Sequence, residues 1–282
     1  MSLPFLSAAD VDRRLDVAGA ADALEAVLRA GFDPEADPPR SAVGLSGGEL
    51  LVMPSAAGGH AAVKLVSVGG EPRIQGVCVV FDGRTLAPVA LVDGIALTNL
   101  RTPAVSALAV RRLAAAETPR LLVFGRGPQA RAHVEAMRAV RAVERVDMVG
   151  REARHVDELV AAADLICCCT TAREPLFHGD LVADGATVVA IGSHEEDARE
   201  VDDALVGRSI VVVESRASAL REAGEVIGAV RSGATEEDEL VTLAELVRDD
   251  PALDPSLPRL FKSSGMAWED AVVAAALAGL EA

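Results

Sequence analysis

One stretch limits what this chain can fold into more than any other. "LLVFGRGPQARAHVEAM", residues 121–137, is a short apolar run, a glycine turn and then a helical pattern. The turn reads Gly125-x-Gly127-x-x-Ala130. Gly125 permits the tight bend, Gly127 lets the backbone approach a pyrophosphate, and Ala130 allows a helix to pack closely on a strand. The N-terminus of that helix offers free N–H groups and a positive dipole end, so Pro128 and Gln129 in its first turn join the candidate cofactor contacts. A bare glycine motif is common; its place between an apolar strand and a helix gives this one weight.

From there, strand-like runs at 120–124, 145–149, 165–169, 187–191 and 210–214 alternate with helical stretches, which predicts a parallel, doubly wound α/β sheet. Residues 236–248 read as a further helix. "RLFKSSGMAWEDAVVAAALAGL" reads as a short strand and a closing helix that packs back on the front of the chain. The front itself is different. Residues 8–30 have helical spacing, and short runs at 41–45, 49–53, 61–68, 74–82 and 87–92 predict a mostly antiparallel sheet. "TNLRTPAVSALAVRRLAAAE" then reads as a helix closing near Pro119. The expected division is 1–100 with 263–282 as one domain and 101–262 as the other.

The second strand of the parallel set ends near Arg151 and Arg154, with Asp147 inside the strand. A basic residue there favours NADP(H), because a guanidinium can meet a ribose 2′-phosphate where an acid would hold a 2′-hydroxyl. The interval from Arg151 to Leu165 has room for one helix, 153–163, so a helix–strand unit is missing from the adenosine half.

Charge narrows the partners. The formal net charge is −16, which repels polyanions, and nucleic acid or an acidic membrane is a poor match. No apolar run reaches membrane-spanning length, and the first residues show no secretory pattern. Cys167-Cys168-Cys169 inside "ADLICCCTT" suits a buried strand, and the histidines show no metal-ligand spacing. A cytoplasmic protein without a metal is expected.

"GGHAAVKLVSVGG", residues 58–70, places Lys64 among alternating apolar residues. An ammonium is rarely buried without a partner, so either Lys64 snorkels to solvent at a sheet edge, the reading this run alone favours, or the strand delivers a charge into a pocket.

Several motifs in order, "RSAVGLSGGELLVMP", "AAVKLVSV", "LTNLRTPAVSALAV", "VFGRGPQARAH", "GATVVAIGSHEEDAREVDDAL" and "FKSSGMAWEDAVVAAAL", resemble the ornithine cyclodeaminase/μ-crystallin family. The likeness runs from about residue 40 onward, and the spacing Arg40…Met53…Lys64…Arg101 is its most specific part. The resemblance implies a Rossmann-type doubly wound sheet, here shortened in its first half. It also implies an N-terminal α+β substrate and dimerisation domain, completed by the C-terminal helix, and a homodimer. Arg40 and Arg101 resemble arginines that grip a substrate carboxylate, with Met53 beside them, and Lys64 matches an active-site lysine. In a partly dry cleft such a lysine can titrate low enough for proton transfer.

Thr102, Thr170, Thr171, Gly192 and Ser193 are implied cofactor contacts. So is the segment of Ser264, Gly265, Ala267 and Asp270, at the nicotinamide end. The implied activity is NAD(P)H-dependent hydride transfer at the α-carbon of an amino acid or its cyclic imine. Two departures bear on it. His194 stands where the cyclodeaminases carry an aspartate, and it can still exchange protons. Leu51 stands where they carry a glutamate for a distal amine. Both point away from the alternative, a lyase forming proline from ornithine with loss of ammonia. The shortened nucleotide half leaves a third reading, a non-catalytic nucleotide-binding protein.

Overall fold

A strand with a single apolar face needs a second surface to cover it, and the front of this chain has several. The computed structural model describes residues 3–115 and 117–280. These form two units, 3–105 with 266–280 and 106–265. Residues 101–105 and 263–265 thus group differently from the expected split, and Ala116, expected in a helix, lies outside the described residues.

In chain order the first unit has β1 (Phe5–Leu6), α1 (Ala8–Arg14), α2 (Val17–Arg29), β2 (Ser41–Leu45), β3 (Gly48–Ala57), β4 (His60–Gly69), β5 (Ile74–Asp82), β6 (Pro88–Asp93) and the start of α3 (Gly94–Leu113). The single helix predicted over 8–30 is two. The Asp16 carboxylate accepts the Gly19 N–H at 2.8 Å and caps α2, so the chain breaks at Leu15–Asp16. The sheet order is β1-β6-β5-β4-β3-β2. Only the β1–β6 pairing is parallel, and the register sets Lys64 between Met53 on β3 and Cys78 on β5. Asp93 accepts the N–H groups of Ile95 and Ala96 and so starts α3 ahead of its predicted span. Arg101 therefore sits two turns into the helix.

The second unit continues with β7 (Arg120–Phe124), α4 (Pro128–Val140), β8 (Arg145–Val149), α5 (Val156–Ala162), β9 (Leu165–Cys168), β10 (Thr187–Ala190), α6 (Asp203–Arg208), β11 (Ile210–Val213), α7 (Arg216–Glu222), α8 (Gly224–Ser232), β12 (Val241–Thr242), α9 (Leu243–Asp249) and β13 (Arg259–Lys262). All seven strands pair in parallel, in the order β12-β11-β13-β10-β9-β7-β8. Cys167 and Cys168 are buried in β9. Because the adenosine half lacks its third strand, β8 is an edge.

The helix predicted over 236–248 is a 3₁₀ turn, a short strand and α9. Thr242 breaks it: its hydroxyl accepts the Glu245 N–H while Glu245 accepts the Thr242 N–H, a reciprocal cap. β13 inserts between β10 and β11, bringing Lys262 to the row of carboxyl-terminal strand ends. The chain then returns as α10 (Ala267–Leu277), whose buried residues pack on α2, β3 and β4 of the first unit.

One buried histidine ties α3 to α4. His133 Nδ1 lies 2.8 Å from the Gln129 carbonyl and Nε2 lies 2.9 Å from Ser106 Oγ, so a neutral ring donates to the first and accepts from the second. Burial pushes His133 down to about 4 from an ordinary value of 6.5. The unfolded chain therefore takes up this proton first as pH falls. Its contribution to stability is complete above pH 6.5 and is lost toward pH 4, at about 1.4 kcal/mol per pH unit. Urea melts of the protein and of a His133→Gln variant check this. The difference in their unfolding free energies should shrink by about 3 kcal/mol between pH 7 and pH 4, whereas a constant difference refutes the neutral, buried ring.

Candidate active site

The alternation of β4 turns Ala62, Lys64 and Val66 to the buried side of the strand. Lys64 does not snorkel; it is 2% exposed. Its ammonium lies 2.8 Å from Oδ1 and 2.7 Å from Oδ2 of Asp270 on α10, and 3.5 Å from Thr98 Oγ1 on α3. Arg101, also buried, donates to Glu269 Oε2 at 2.7 Å, and its Nε lies 3.2 Å from Asp270 Oδ1. Two cations and two carboxylates thus share one dry cluster. Burial pushes the Lys64 ammonium down from the usual lysine range; Asp270 opposes that fall and Arg101 adds to it.

Leu51, Met53, Val66 and Ala267 form a small apolar cluster in the same unit, with Val68 against it. Arg40 is half-buried and immediately precedes β2. Of the segment named with the nicotinamide end, Asp270 pairs with Lys64 and Ala267 packs in the cluster with Met53. The segment divides at Gly265/Met266, and only Ser264 and Gly265 belong to the second unit. Thr102 is buried in α3.

In the second unit the glycine turn follows β7, at the point where the strand order reverses between β7 and β9. Gly125 has a φ of +114°, and a Cβ there would strike the Cys169 carbonyl, so only glycine fits. Gly127 is the N-cap of α4, Pro128 opens its first turn beside Gln129, and no side chain caps that end. Ala130 is fully buried.

Buried carboxylates hold the strand ends beside the turn. Glu200 accepts from the Thr170 N–H and hydroxyl at 2.8 Å each, and from the Gly192 N–H at 2.8 Å. A Cβ on Gly192 would strike the Thr170 carbonyl and that carboxylate. Glu225 accepts the Glu200 N–H and lies 3.1 Å from Lys262 Nζ, which donates to the Ser193 carbonyl at 2.7 Å. Glu214 accepts from Ser263 Oγ and from the N–H groups of Ser264 and Gly265. His194 and Thr171 are exposed on the loops after β10 and β9.

Within β8, the Asp147 carboxylate is paired with Arg145 at 2.8 Å. Arg126, Arg131, Arg151 and Arg154 are exposed, and their side chains have no hydrogen-bond or ion-pair partner among the described residues. They cluster about the glycine turn and the end of β8, where Arg126 lies near Gly150. The uncapped helix, the glycine clearances and these free cations fit a dinucleotide with its phosphates.

Residues 2–157 and 151–278 match the model of the "Ornithine cyclodeaminase/mu-crystallin family". The chain belongs to that family. It is 36% identical over 228 residues to a Δ1-pyrroline-2-carboxylate reductase of Colwellia psychrerythraea, covering 72% of each chain. It is 33% identical over 252 residues to the ketimine reductase mu-crystallin of Mus musculus, covering 80% of this chain and 79% of that one. The Thermococcus litoralis Δ1-pyrroline-2-carboxylate reductase, solved with NADH and L-proline, superposes with a TM-score of 0.90 at 26% identity, over 98% of this chain and 97% of that one.

In this family member the roles of Asp270 and Glu269 toward Lys64 and Arg101 escaped the sequence reading, as did Glu200, Glu214, Glu225 and Lys262. A signal existed: Lys262 and Glu214 both close apolar runs, where a charge must find a partner or a ligand. Nothing in one sequence says which carboxylate meets which cation.

Breaking the buried pair should be costly. Lys64→Met leaves Asp270 with Arg101 alone and should lower the unfolding free energy by about 3 kcal/mol, the low end for a broken buried pair. Asp270→Asn combined with it should cost less than the two single changes summed, by about 1–3 kcal/mol in a double-mutant cycle followed by urea unfolding. Strict additivity of the two would contradict the pairing.

Proposed function

We propose that this protein is an NAD(P)H-dependent reductase of small cyclic imino acids, running in reverse as an amino-acid dehydrogenase. The observation that carries the reading is the dry cluster in which Lys64, Asp270 and Arg101 meet. A binding protein has no need to bury an ammonium whose proton is loosened by its surroundings, and relatives over most of the chain are named as reductases of such imines.

Arg40 and Arg101 are assigned to the substrate carboxylate. A guanidinium presents two parallel donors, and Glu269 and Asp270 fix the attitude of Arg101. Leu51 and Met53 give the substrate's carbon skeleton an apolar wall. A distal ammonium would meet no acceptor at Leu51, which argues against ornithine and its cyclodeamination.

Lys64 is assigned the proton step: it protonates the imine nitrogen, which makes the adjacent carbon electrophilic. When bound, the reduced nicotinamide supplies the hydride to that carbon. The C=N bond becomes CH–NH, the cofactor is oxidised, and Lys64 is left neutral beside Asp270, which Arg101 still neutralises. His194, exposed after β10, is assigned to proton exchange with solvent.

The cofactor would be held by the glycine turn and first turn of α4 (Gly125, Gly127, Pro128, Gln129, Ala130), by the segments Glu200 and Glu214 fix (Thr170, Thr171, Gly192, Ser193, Ser264, Gly265), and by Thr102. Arg151, with Arg126 and Arg154 near it, supports NADP(H) over NAD(H), since a 2′-phosphate would meet cations that have no other partner. β2 is exposed along its whole length, with Val43 51% and Leu45 57% exposed, and this supports a homodimer. The free thiols fit a reducing cytoplasm.

Purified protein given Δ1-pyrroline-2-carboxylate or piperideine-2-carboxylate should oxidise NADPH, followed by loss of absorbance. Lys64→Met should cut kcat by about 10²–10⁴-fold while leaving NADPH binding nearly unchanged. Proline release from ornithine without imine reduction would replace this reading with the lyase. Arg151→Ala should weaken NADPH binding about tenfold, an estimate of the order of one charge-assisted contact, and leave NADH untouched. Equal losses for both cofactors would overturn the NADP(H) assignment.

A further inference from the structure

Asp37 lies in the run Asp37-Pro38-Pro39-Arg40, just ahead of β2. Its Oδ1 accepts from Ser55 Oγ on β3 at 2.5 Å, and its Oδ2 accepts the Trp268 N–H on α10 at 3.1 Å. α10 needs this help. Its N-cap is Met266, whose side chain makes no cap hydrogen bond, so an early N–H of the helix is satisfied by a carboxylate from the other end of the chain. A negative charge at that end also suits the helix dipole. The residues that follow Trp268 are Glu269 and Asp270, which hold Arg101 and Lys64. In the other direction, the two prolines have fixed φ values and carry the position of Asp37 stiffly to Arg40.

We propose that Asp37 is a positioning residue: its ionised carboxylate fastens α10 to β3 and to the Arg40 segment, setting the groups that hold a carboxylate ligand in register. That a substrate carboxylate is the ligand rests on the function proposed above; the fastening itself does not.

The group is placed to titrate. Burial pushes the Asp37 carboxyl up to about 6, the Ser55 hydroxyl and the Trp268 N–H hold it down, and the Asp270 charge adds to the rise. From α10 it faces Asp270, which is itself paired with Lys64 of β4 and Arg101 of α3; from β3 it faces the neutral Ser55. The carboxylate form holds above pH 6 and is lost as pH falls through it. The native state binds this proton more readily than the unfolded chain does, so the protonation by itself does not favour unfolding. What changes is the acceptor strength at the start of α10.

Trp268 is the single tryptophan of the sequence, it is fully buried, and it stands at the junction in question. Its emission, titrated from pH 8 to pH 5 on the full chain, should show a step with a midpoint near 6. The step should vanish in Asp37→Asn. It should move to higher pH in Ser55→Ala, which removes a hydrogen bond to the ionised form, and this second variant serves if the first folds poorly. Proline affinity should fall severalfold across the same step in the wild type and be low at every pH in Asp37→Asn, with NADPH affinity unchanged. A flat wild-type titration, or a step that survives in Asp37→Asn and stays at the same pH in Ser55→Ala, overturns the proposal. If proline fails to bind at any pH while the emission step behaves as described, the fastening stands and the assignment of its ligand fails.

Discussion

An ammonium taken out of water must be given a counter-charge in return, and in this protein that requirement organises the first unit. Desolvating such an ion costs several kcal/mol even after relaxation. Lys64 faces inward on a central strand, so its counter-charge has to come from whatever covers that face. The cover is α10, from the far end of the chain, and it brings Asp270 and Glu269 with it. The discontinuous first unit is the consequence. β3 and β4 need an apolar cover, and the same helix supplies both the cover and the acid.

A related principle shapes the second unit. The carboxyl-terminal ends of parallel strands leave backbone N–H groups without ladder partners, and buried polar groups are seldom left unsatisfied. Here Glu200 and Glu214 meet them, at Thr170 and Gly192 and at Ser264 and Gly265. Glu225 and Lys262 then fasten the loop after β10 from beneath. A loop held this way presents a fixed surface to a ligand, and fixed geometry is what hydride transfer demands of a protein that leaves the redox chemistry to its cofactor. Charge is spent in the two units differently. In the first, cations and acids neutralise one another at the proposed substrate groups. In the second, the acids hold backbone, while the side chains of Arg126, Arg131, Arg151 and Arg154 have no partner among the described residues.

The sequence by itself determined much of this. The period of the apolar residues fixed the strands of both sheets other than β1 and β12, several of them to the residue, because alternation and burial act over a few neighbouring positions. The spacing of Gly125, Gly127 and Ala130 fixed the turn: Gly125 takes a φ of +114° that only glycine tolerates against the Cys169 carbonyl, Gly127 leaves open space, and Ala130 is fully buried. The distance from Arg151 to Leu165 fixed the shortened half, and β8 is indeed an edge. The breaks at Asp16 and Thr242 were missed because a cap is a local competition between side chain and backbone, which average periodicity hides.

Only the tertiary structure decided the rest. It decided that Lys64 is buried rather than snorkelled, that Asp270 is the acid paired with that lysine, that β13 inserts between β10 and β11, and that Asp37 caps a helix at the opposite end of the chain. Each joins residues far apart in sequence, and a buried charge is satisfied by whichever opposite charge the packing delivers. Local pattern shows that a partner is needed; the fold alone says which one it is.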